Sequence, residues 1–229
     1  MLTNEGSNRT FLTVYEGKIA QRVSKDTPGA KHRITKSGKE VYELFFDTLT
    51  GYLEDIRLDD PPEANKQIGK QWCFVLEDGN ETYELKLPHK SNSAFGLLSR
   101  LMNLDFSKPV KVKTYWITGD DDVNRGFAVF LQIVGEEVKK VPPFFTRDDP
   151  KGLPAPKKIV IDGEERWDFT DRLKFLKRVV DEKILPRLKE ARPLSEADKE
   201  SYAPVEEPVA PPPTEEDFAE YEDSNDLPF

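Results

Sequence analysis

The chain has 229 residues, 37% hydrophobic and 34% charged, which is enough for one sizeable domain with extensions. The only cysteine, Cys73, excludes an intrachain disulfide framework, and with two histidines it argues against a structural zinc site. No apolar run reaches about 18 residues and the first ten residues lack a signal-peptide core, so we expect a cytoplasmic protein with no membrane span and no cofactor.

The charge is divided unevenly along the chain. The net charge is -9, but residues 195–229 hold 12 Asp and Glu against Lys199 alone, a net charge of -11. Residues 1–194 therefore carry 33 Lys and Arg against 31 Asp and Glu, a net charge of +2. A weakly cationic body joined to a strongly anionic segment is an asymmetry that calls for a functional explanation.

Alternating β-branched and aromatic residues predict several strands before the first helix. Thr50-Gly51 suggests a tight connection between two of them, and Asp78-Gly79-Asn80 predicts a hairpin turn. A basic loop is predicted over 24–40, where Pro and Gly interrupt the pattern. The predicted strands cover 9–19, 41–48, 52–58, 71–77 and 82–87.

A short helix is predicted over 91–103, with Ser91 or Ser93 as its cap. Its apolar stripe consists of Phe95, Leu98, Leu101 and Met102. Strands at 109–117 and 127–134 follow. Five or more strands with one late helix favour a mainly β, OB-fold-like five-stranded barrel over 1–160, although an open sandwich fits the same pattern.

Residues 142–158 are Pro-rich and predicted to be irregular. A long helix is predicted over 168–191, within an extension at 161–192. Thr170 is its predicted cap, Pro186 is expected to end or kink it, and its stripe packs on its own barrel or on a second subunit. From 193 to 229, Pro and Glu dominate and predict disorder. The stripe consists of Leu173, Leu176, Val180 and Ile184.

Cations are concentrated in residues 18–40, where Asp26 is the only acidic residue before Glu40. Such a segment is expected to contact phosphates, and in an OB-fold the loop between the first two strands borders the nucleic-acid groove. A solvated loop without a partner is the alternative. The candidate phosphate ligands are Lys18, Arg22, Lys25, Lys31, Arg33, Lys36 and Lys39.

The strand at 110–117 alternates between two kinds of face. One face carries Val110, Val112, Thr114 and Trp116 and is predicted to be core. The other places two cations and a ring in one line, which is the composition of a single-strand platform, in which charges follow phosphates and rings stack on bases. The alternative is an ordinary exposed strand. This line consists of Lys111, Lys113 and Tyr115.

The aromatic residues divide into predicted core and predicted stacking rings. The predicted core rings are Tyr42, Phe46, Trp72, Phe74 and Phe127. The predicted stacking rings are Tyr15, Tyr52, Tyr115 and Phe130.

Catalytic templates do not match this sequence. There is no phosphate-binding Gly-rich loop with Lys-Ser/Thr, no Gly-x-Ser-x-Gly and no His-Glu-x-x-His. A calcium loop counted from Asp120 would need Gly and Glu where Arg125 and Leu131 stand. Cys73 is predicted to be buried, so we expect a protein that is not an enzyme and has no metal site.

The acidic segment ends in Asp-Ser-Asn-Asp-Leu-Pro-Phe, residues 223–229. This ending resembles the C-terminal tail of bacterial and phage single-stranded DNA-binding proteins, in which several Asp precede Ile or Leu, Pro and Phe. Ser224 and Asn225 interrupt the acidic run here. The resemblance implies a tail that docks on partner proteins through Asp223, Asp226, Leu227, Pro228 and Phe229.

With the strand-rich body and the extra helix, the ending is most similar to a phage-type single-stranded DNA-binding protein with an OB-fold. The resemblance implies sequence-independent binding of single-stranded DNA in replication, recombination and repair, in the host cytoplasm if the protein is phage-encoded. It also implies recruitment of polymerase, helicase-primase, nuclease or recombinase partners. Two alternatives remain: an interaction protein that mimics such a tail without binding DNA, and a duplex-binding replication accessory.

Overall fold

The protein is mainly β, and most of its strands belong to one large open sheet. The computed structural model describes residues 9–35, 38–61, 69–118, 123–134, 137–161 and 163–191. In these ranges the ten-stranded sheet has the order β10-β9-β8-β5-β6-β7-β1-β2-β4-β3, and β11 and β12 form a separate hairpin. The strands are β1 Arg9–Tyr15, β2 Lys18–Val23, β3 Lys31–Ile34, β4 Glu40–Phe46, β5 Thr48–Asp59, β6 Gln71–Asp78, β7 Glu81–Pro88, β8 Val110–Thr118, β9 Asn124–Val134, β10 Glu137–Lys140, β11 Lys157–Ile161 and β12 Glu164–Asp168.

The helical segments lie after β7 and after β12. The first helix, α1, spans Asn92–Leu98 and is followed by a 3-10 turn at Leu101–Asn103. The C-terminal helix runs continuously through α2 Thr170–Val179, a π-helical turn Val180–Ile184 and α3 Leu185–Glu190. The prediction of a long helix is therefore confirmed. Thr170 is its first residue and not its N-cap, and its N–H donates to Asp168 Oδ1 at 2.9 Å.

The predicted strand at 9–19 is divided by a hairpin turn. Glu16 and Gly17 have φ values of +48° and +70°, the signs that a type I′ turn requires at its two central residues. The turn packs closely on β8, because a Cβ on Gly17 would lie 2.6 Å from the Cβ of Trp116. Thr114 Oγ1 donates to the Gly17 carbonyl at 2.7 Å and fixes this contact.

The predicted tight connection at Thr50-Gly51 is wrong. β4 ends at Phe46 and β5 begins at Thr48, so the break falls at Asp47. Gly51 lies inside β5, where a Cβ would come within 2.8 Å of the Glu77 carbonyl oxygen. The glycine therefore permits a close approach between strands and does not form a turn.

β5 joins the two halves of the sheet. Its first part, Thr48 to Gly51, pairs antiparallel with β8, and its second part pairs antiparallel with β6 across an irregularity between Leu53 and Asp55. β7 then pairs antiparallel with β6 and parallel with β1. Among the described residues no ladder joins β7 to β9, so the mainly β prediction is confirmed, whereas the sheet is open and barrel closure is not seen.

One hydrophobic core lies between the sheet and the helices. Trp72, Phe74 and Phe130 are almost fully buried in it, with the last two rings 6.2 Å apart. Ser91 caps α1 by accepting the Ala94 N–H at 3.2 Å, as predicted. Helix α1 lies directly on β9, because a Cβ on Gly96 would be 2.4 Å from the Ala128 carbonyl oxygen.

The C-terminal helix packs on the same core. Leu176, Val180, Ile184 and Leu188 are buried, so of the two predicted positions for the stripe the structure shows packing on the protein's own sheet. The Arg187 guanidinium donates to the carbonyls of residues 102 and 104 at 3.1 and 2.9 Å. Pro186 does not end the helix; it is the second residue of α3, which follows the π-helical turn.

Four of the strands in the structure were not predicted from the sequence. β3 lies within the predicted basic loop, β10 follows β9, and β11 and β12 form a hairpin of charged residues. All are short and most lie at sheet edges or outside the main sheet, where apolar alternation is weak. Residues 141–156 are irregular, in agreement with the prediction.

Candidate nucleic-acid interface

One face of the sheet combines cations with exposed rings. We call the side of the ten-stranded sheet that points away from the core the outer face. On β1, Leu12 is buried in the core, so by alternation Arg9, Phe11, Thr13 and Tyr15 lie on the outer face. A cation and two aromatic rings thus share one face of a single strand in the middle of the sheet.

A buried carboxylate organises the cations at the β3 end of the outer face. Glu43 on β4 is 1% exposed and accepts two hydrogen bonds from Arg33, at 2.6 and 2.9 Å. Arg22 lies 3.7 Å from the same carboxylate, and Lys31 is the direct register partner of Glu43. We call these four residues the Glu43 cluster; three cations and one carboxylate leave two positive charges.

One cation of the Glu43 cluster also contacts an aromatic ring. The Arg33 guanidinium carbon lies 4.1 Å from the centre of the Tyr15 ring. The hydrogen bond to Glu43 raises the pKa of Arg33, and a hydrogen bond with Glu16 raises the pKa of Tyr15. Both groups therefore keep their protons through the neutral range, Arg33 as a cation and Tyr15 as a neutral ring suited to stacking.

A second buried carboxylate lies further along the outer face, on β7. Glu84 is 3% exposed and contacts Arg57 at 2.8 Å, Arg9 at 3.3 Å and Lys86 at 3.7 Å. Asp59 contacts Arg57 at 3.0 Å and Lys86 at 3.5 Å, and Asp55 contacts Arg57 at 3.5 Å. The six residues of this Glu84 cluster carry three positive and three negative charges.

Cys73 lies beneath the Glu84 cluster. Its thiol is fully buried, and Sγ donates to Glu84 Oε2 at 3.6 Å. Burial raises the pKa of the thiol to about 12, although Arg57 acts in the opposite direction. A protonated, inaccessible thiol is a poor nucleophile, so the cluster has no cysteine chemistry at neutral pH.

The predicted platform on β8 joins the outer face through the β1–β2 turn. Lys111, Lys113 and Tyr115 are partly exposed on one side of β8, and Lys113 Nζ lies 5.4 Å from the Tyr115 ring centre. The Gly17 turn packs on the backbone of Tyr115 and Trp116. The turn thus places the end of β1 next to the end of β8.

Three aromatic residues do not lie where the sequence placed them. Phe130 was predicted to stack on bases, but it is 0% exposed because its side of β9 faces the core. Trp116 and Phe46 were predicted to be core, yet they are 45% and 41% exposed. Trp116 extends past buried Thr114 and lies over Gly126, and Phe46 lies on a strand near the sheet edge.

The burial of the other predicted core rings is confirmed for three of them and partly confirmed for the fourth. Trp72, Phe74 and Phe127 are buried, whereas Tyr42 is half-buried beside His32, 5.1 Å away.

The remaining candidates lie at the margins of the outer face or beyond the described residues. Lys18 pairs with Asp47, while Lys25 and Lys39 are exposed near the β3 end and Tyr52 is half-buried on β5. Lys36 lies outside the described residues, as do the acidic loop at 120–122 and the predicted docking residues at 223–229. The structure brings together Tyr15, Arg22, Lys31 and Arg33.

The sequence interpretation missed the Glu84 cluster and Phe11. Phe11 and Arg9 lie two and three alternations before Tyr15 on β1, on the face opposite Leu12. The two-residue period of a strand was therefore enough to place them beside Tyr15. Arg57 and Lys86 required knowledge of the β5–β6–β7 register, which no local pattern contains. The buried carboxylates also gave no signal, since an acidic residue in a strand usually lies in solvent.

A cavity lies elsewhere, between α1 and the C-terminal helix. Phe95, Leu98 and Leu176 line it, with His89 and Arg172 at its polar side. Burial lowers the pKa of both His89 and Arg172, which disfavours additional positive charge there.

In the described ranges no three His, Cys, Asp or Glu side chains converge as metal ligands. No helix in the same ranges has the length and apolar character required to cross a bilayer.

Comparisons with protein-family models, with curated proteins and with solved structures find no match to this chain.

Proposed function

We propose that this protein binds single-stranded DNA without sequence preference through the outer face. The observation that carries the proposal is the Glu43 cluster, a net-positive group in which the Arg33 guanidinium lies 4.1 Å from the centre of the Tyr15 ring. Cations that follow the backbone, combined with rings that stack on bases of any identity, are the two requirements of such binding.

The connectivity supports an OB-fold as the scaffold. Strands β5, β6 and β7 form an antiparallel meander, α1 follows, and the β8–β9 hairpin returns so that β8 pairs with β5. This is the strand order of a partly open OB barrel with its helix before the closing pair. In that fold the second and third strands present the nucleic-acid face, which here corresponds to β6 and β7, next to β1.

The buried carboxylates favour binding by fixing the cations before DNA arrives. A free Arg side chain loses about 2 kcal/mol of rotamer freedom when it is immobilised, and a side chain already held by Glu43 has lost much of it. Arg22 remains 69% exposed and therefore available to a phosphate. Glu43 lowers the net positive charge of its cluster, but it holds the cations in fixed positions.

The acidic C-terminal segment is the proposed competitor and recruiter. Its charge of -11 is opposite to the +2 of the body, so we propose that it occupies the outer face when DNA is absent. DNA binding then releases the Leu-Pro-Phe ending to dock on replication and recombination proteins.

A fluorescence titration of labelled oligo(dT) with the full chain tests the binding proposal. We expect saturable binding that weakens with salt and that excess duplex DNA competes poorly. Absence of binding would overturn the proposal and favour a tail mimic, and efficient competition by duplex would favour a duplex-binding accessory.

Deletion of Phe229 tests recruitment separately. We expect unchanged oligo(dT) affinity, because the charge of the segment is kept, and loss of partner capture by a replication extract. Partner capture that survives the deletion would contradict the docking role.

A further inference from the structure

We infer that Phe11 is a second base-stacking site, in line with Tyr15, whose contribution to binding does not depend on salt. The inference rests on the proposed function and extends it to residues that the sequence interpretation did not select. The side chain is 58% exposed although β1 lies inside the sheet, between β7 and β2. One exposed apolar residue is ordinary, so the argument depends on its surroundings.

The ring is accessible and held among ordered polar side chains. Lys86 Nζ lies 5.3 Å from the Phe11 ring centre, and Glu84 is the register partner of Phe11 on the parallel strand β7. Glu84 also contacts Arg9, two residues before Phe11. The Phe11 ring is thus bordered by long side chains that the buried carboxylate restrains.

The charge around Phe11 distinguishes it from the Tyr15 end. The Glu84 cluster is balanced, with three cations and three carboxylates, whereas the Glu43 cluster has two positive charges in excess. A neutral cluster has little attraction for a phosphate, but a base can stack on the ring there without meeting net charge. The Glu43 cluster therefore offers phosphate contacts beside the Tyr15 ring, whereas at the Glu84 cluster the Phe11 ring binds a base by stacking alone.

The spacing lets both rings act on one strand. Tyr15 lies four residue steps after Phe11 on the strand, a distance of about 13 Å at about 3.3 Å per residue. This equals about four steps of stacked nucleotides at roughly 3.4 Å each. The two rings therefore hold different bases of the same strand.

Titrations of oligo(dT) at several salt concentrations, with the full chain, test the inference. We expect Phe11→Ala to weaken binding by about 5- to 150-fold, the range for loss of one stacked base, with an unchanged slope of log affinity against log salt. Arg22→Ala is the contrasting variant, for which the slope should become shallower by about 0.7. Phe11→Tyr keeps a ring and should retain the wild-type affinity.

Trp167→Ala provides the matched control. Trp167 also has a lysine over its ring, Lys158 at 5.1 Å, but it lies on the β11–β12 hairpin outside the main sheet. We expect this variant to bind like the wild type. Urea unfolding of each variant separates lost contact from lost folding.

The outcomes separate the stacking site at Phe11 from the proposed binding of single-stranded DNA. Wild-type binding with an unaffected Phe11→Ala variant would overturn the stacking site and leave the proposed function intact. A shallower salt slope in Phe11→Ala would also overturn the inference, because the ring would then act by placing Lys86. Failure of the wild type to bind would overturn both.

Discussion

At the scale of residues, two buried carboxylates organise the outer face. Glu43 and Glu84 are each nearly inaccessible, yet each contacts more than one cation that reaches solvent. Ordinary surface lysines would move freely, whereas these arginines are held in place. Removal of either carboxylate should therefore affect both folding and the arrangement of the cations.

Glu43→Gln should lower the free energy of unfolding by about 1.5 kcal/mol. The charge-assisted bonds to Arg33 become neutral ones, and the exposed fraction of Arg33, 23%, lets solvent screen part of the loss. Urea unfolding measures the change. Glu40→Gln is the control, because Glu40 is an exposed carboxylate on the same strand, 3.7 Å from His32. Equal losses of unfolding free energy for the two substitutions would contradict the proposed structural role of the buried Glu43.

Cys73 should resist thiol reagents while the protein is folded. Its pKa of about 12 keeps it protonated at pH 8, whereas the unfolded thiol, with a pKa near ~8.5, is partly ionised. Ellman's reagent should therefore label it only after denaturation.

The same raised pKa fixes the sign of a pH effect. The native state retains a proton that the unfolded chain releases, so this group lowers the free energy of unfolding as pH rises from about 8.5 toward 12. Cys73→Ala should remove that part of the pH dependence between pH 8 and 10. Rapid labelling of the native protein, or an unchanged pH slope in the variant, would contradict the buried thiol.

Alternation identified some of these residues and misplaced others. It put Lys111, Lys113 and Tyr115 on one side of β8, where the structure has them. It assumed that β9 has a solvent-facing side, so Phe130 was assigned to solvent, but residues on both sides of the strand, Val129 as well as Phe130, are buried. Whether a side chain is buried depends on what packs against that side of its strand. The sequence of the strand alone does not contain this information.

At the scale of elements, the C-terminal helix is part of the core and not an appendage. Its buried stripe and the Arg187 contacts hold it against the 3-10 turn after α1. The sequence predicted its position and its stripe. The π-helical turn was not predictable, because Pro186 indicated that the helix would end or kink, and only the packed structure shows that it continues.

Ile184→Ala should destabilise the protein by about 2 to 5 kcal/mol, because Ile184 is 0% exposed and the truncation leaves a cavity. Lys183→Ala, in the same turn but exposed, should change the stability by less than about 0.5 kcal/mol. Thermal or urea unfolding measures both. Two equally small effects would show that the helix does not pack on the sheet in solution.

At the scale of the whole molecule, the account depends on an opposition of charge. The body carries +2 and residues 195–229 carry -11, and both numbers were available from the sequence. The sequence also predicted a mainly β body of five or more strands with one short helix late in the run. It could not predict the ten-stranded sheet, because β1 to β4 add to β7 through a parallel pairing between residues far apart in the chain.

Deletion of residues 195–229 should tighten oligo(dT) binding at low salt. The deletion removes an anionic competitor, and the gain should shrink as salt screens the competition. The titration of the truncated and full chains at two salt concentrations measures it. Deletion of Phe229 alone is the control that keeps the charge; equal affinity of the truncated and full chains at low salt would contradict autoinhibition.

Photo-cross-linking most directly tests whether the outer face binds DNA. Oligo(dT) carrying a photoactivatable thymine would be irradiated with the full chain, and the adducts located by peptide mass spectrometry. The account predicts adducts on β1, at Phe11 and Tyr15, that diminish when Arg22 and Lys31 are changed to Glu. Adducts confined to the β11–β12 hairpin or the C-terminal helix would contradict it.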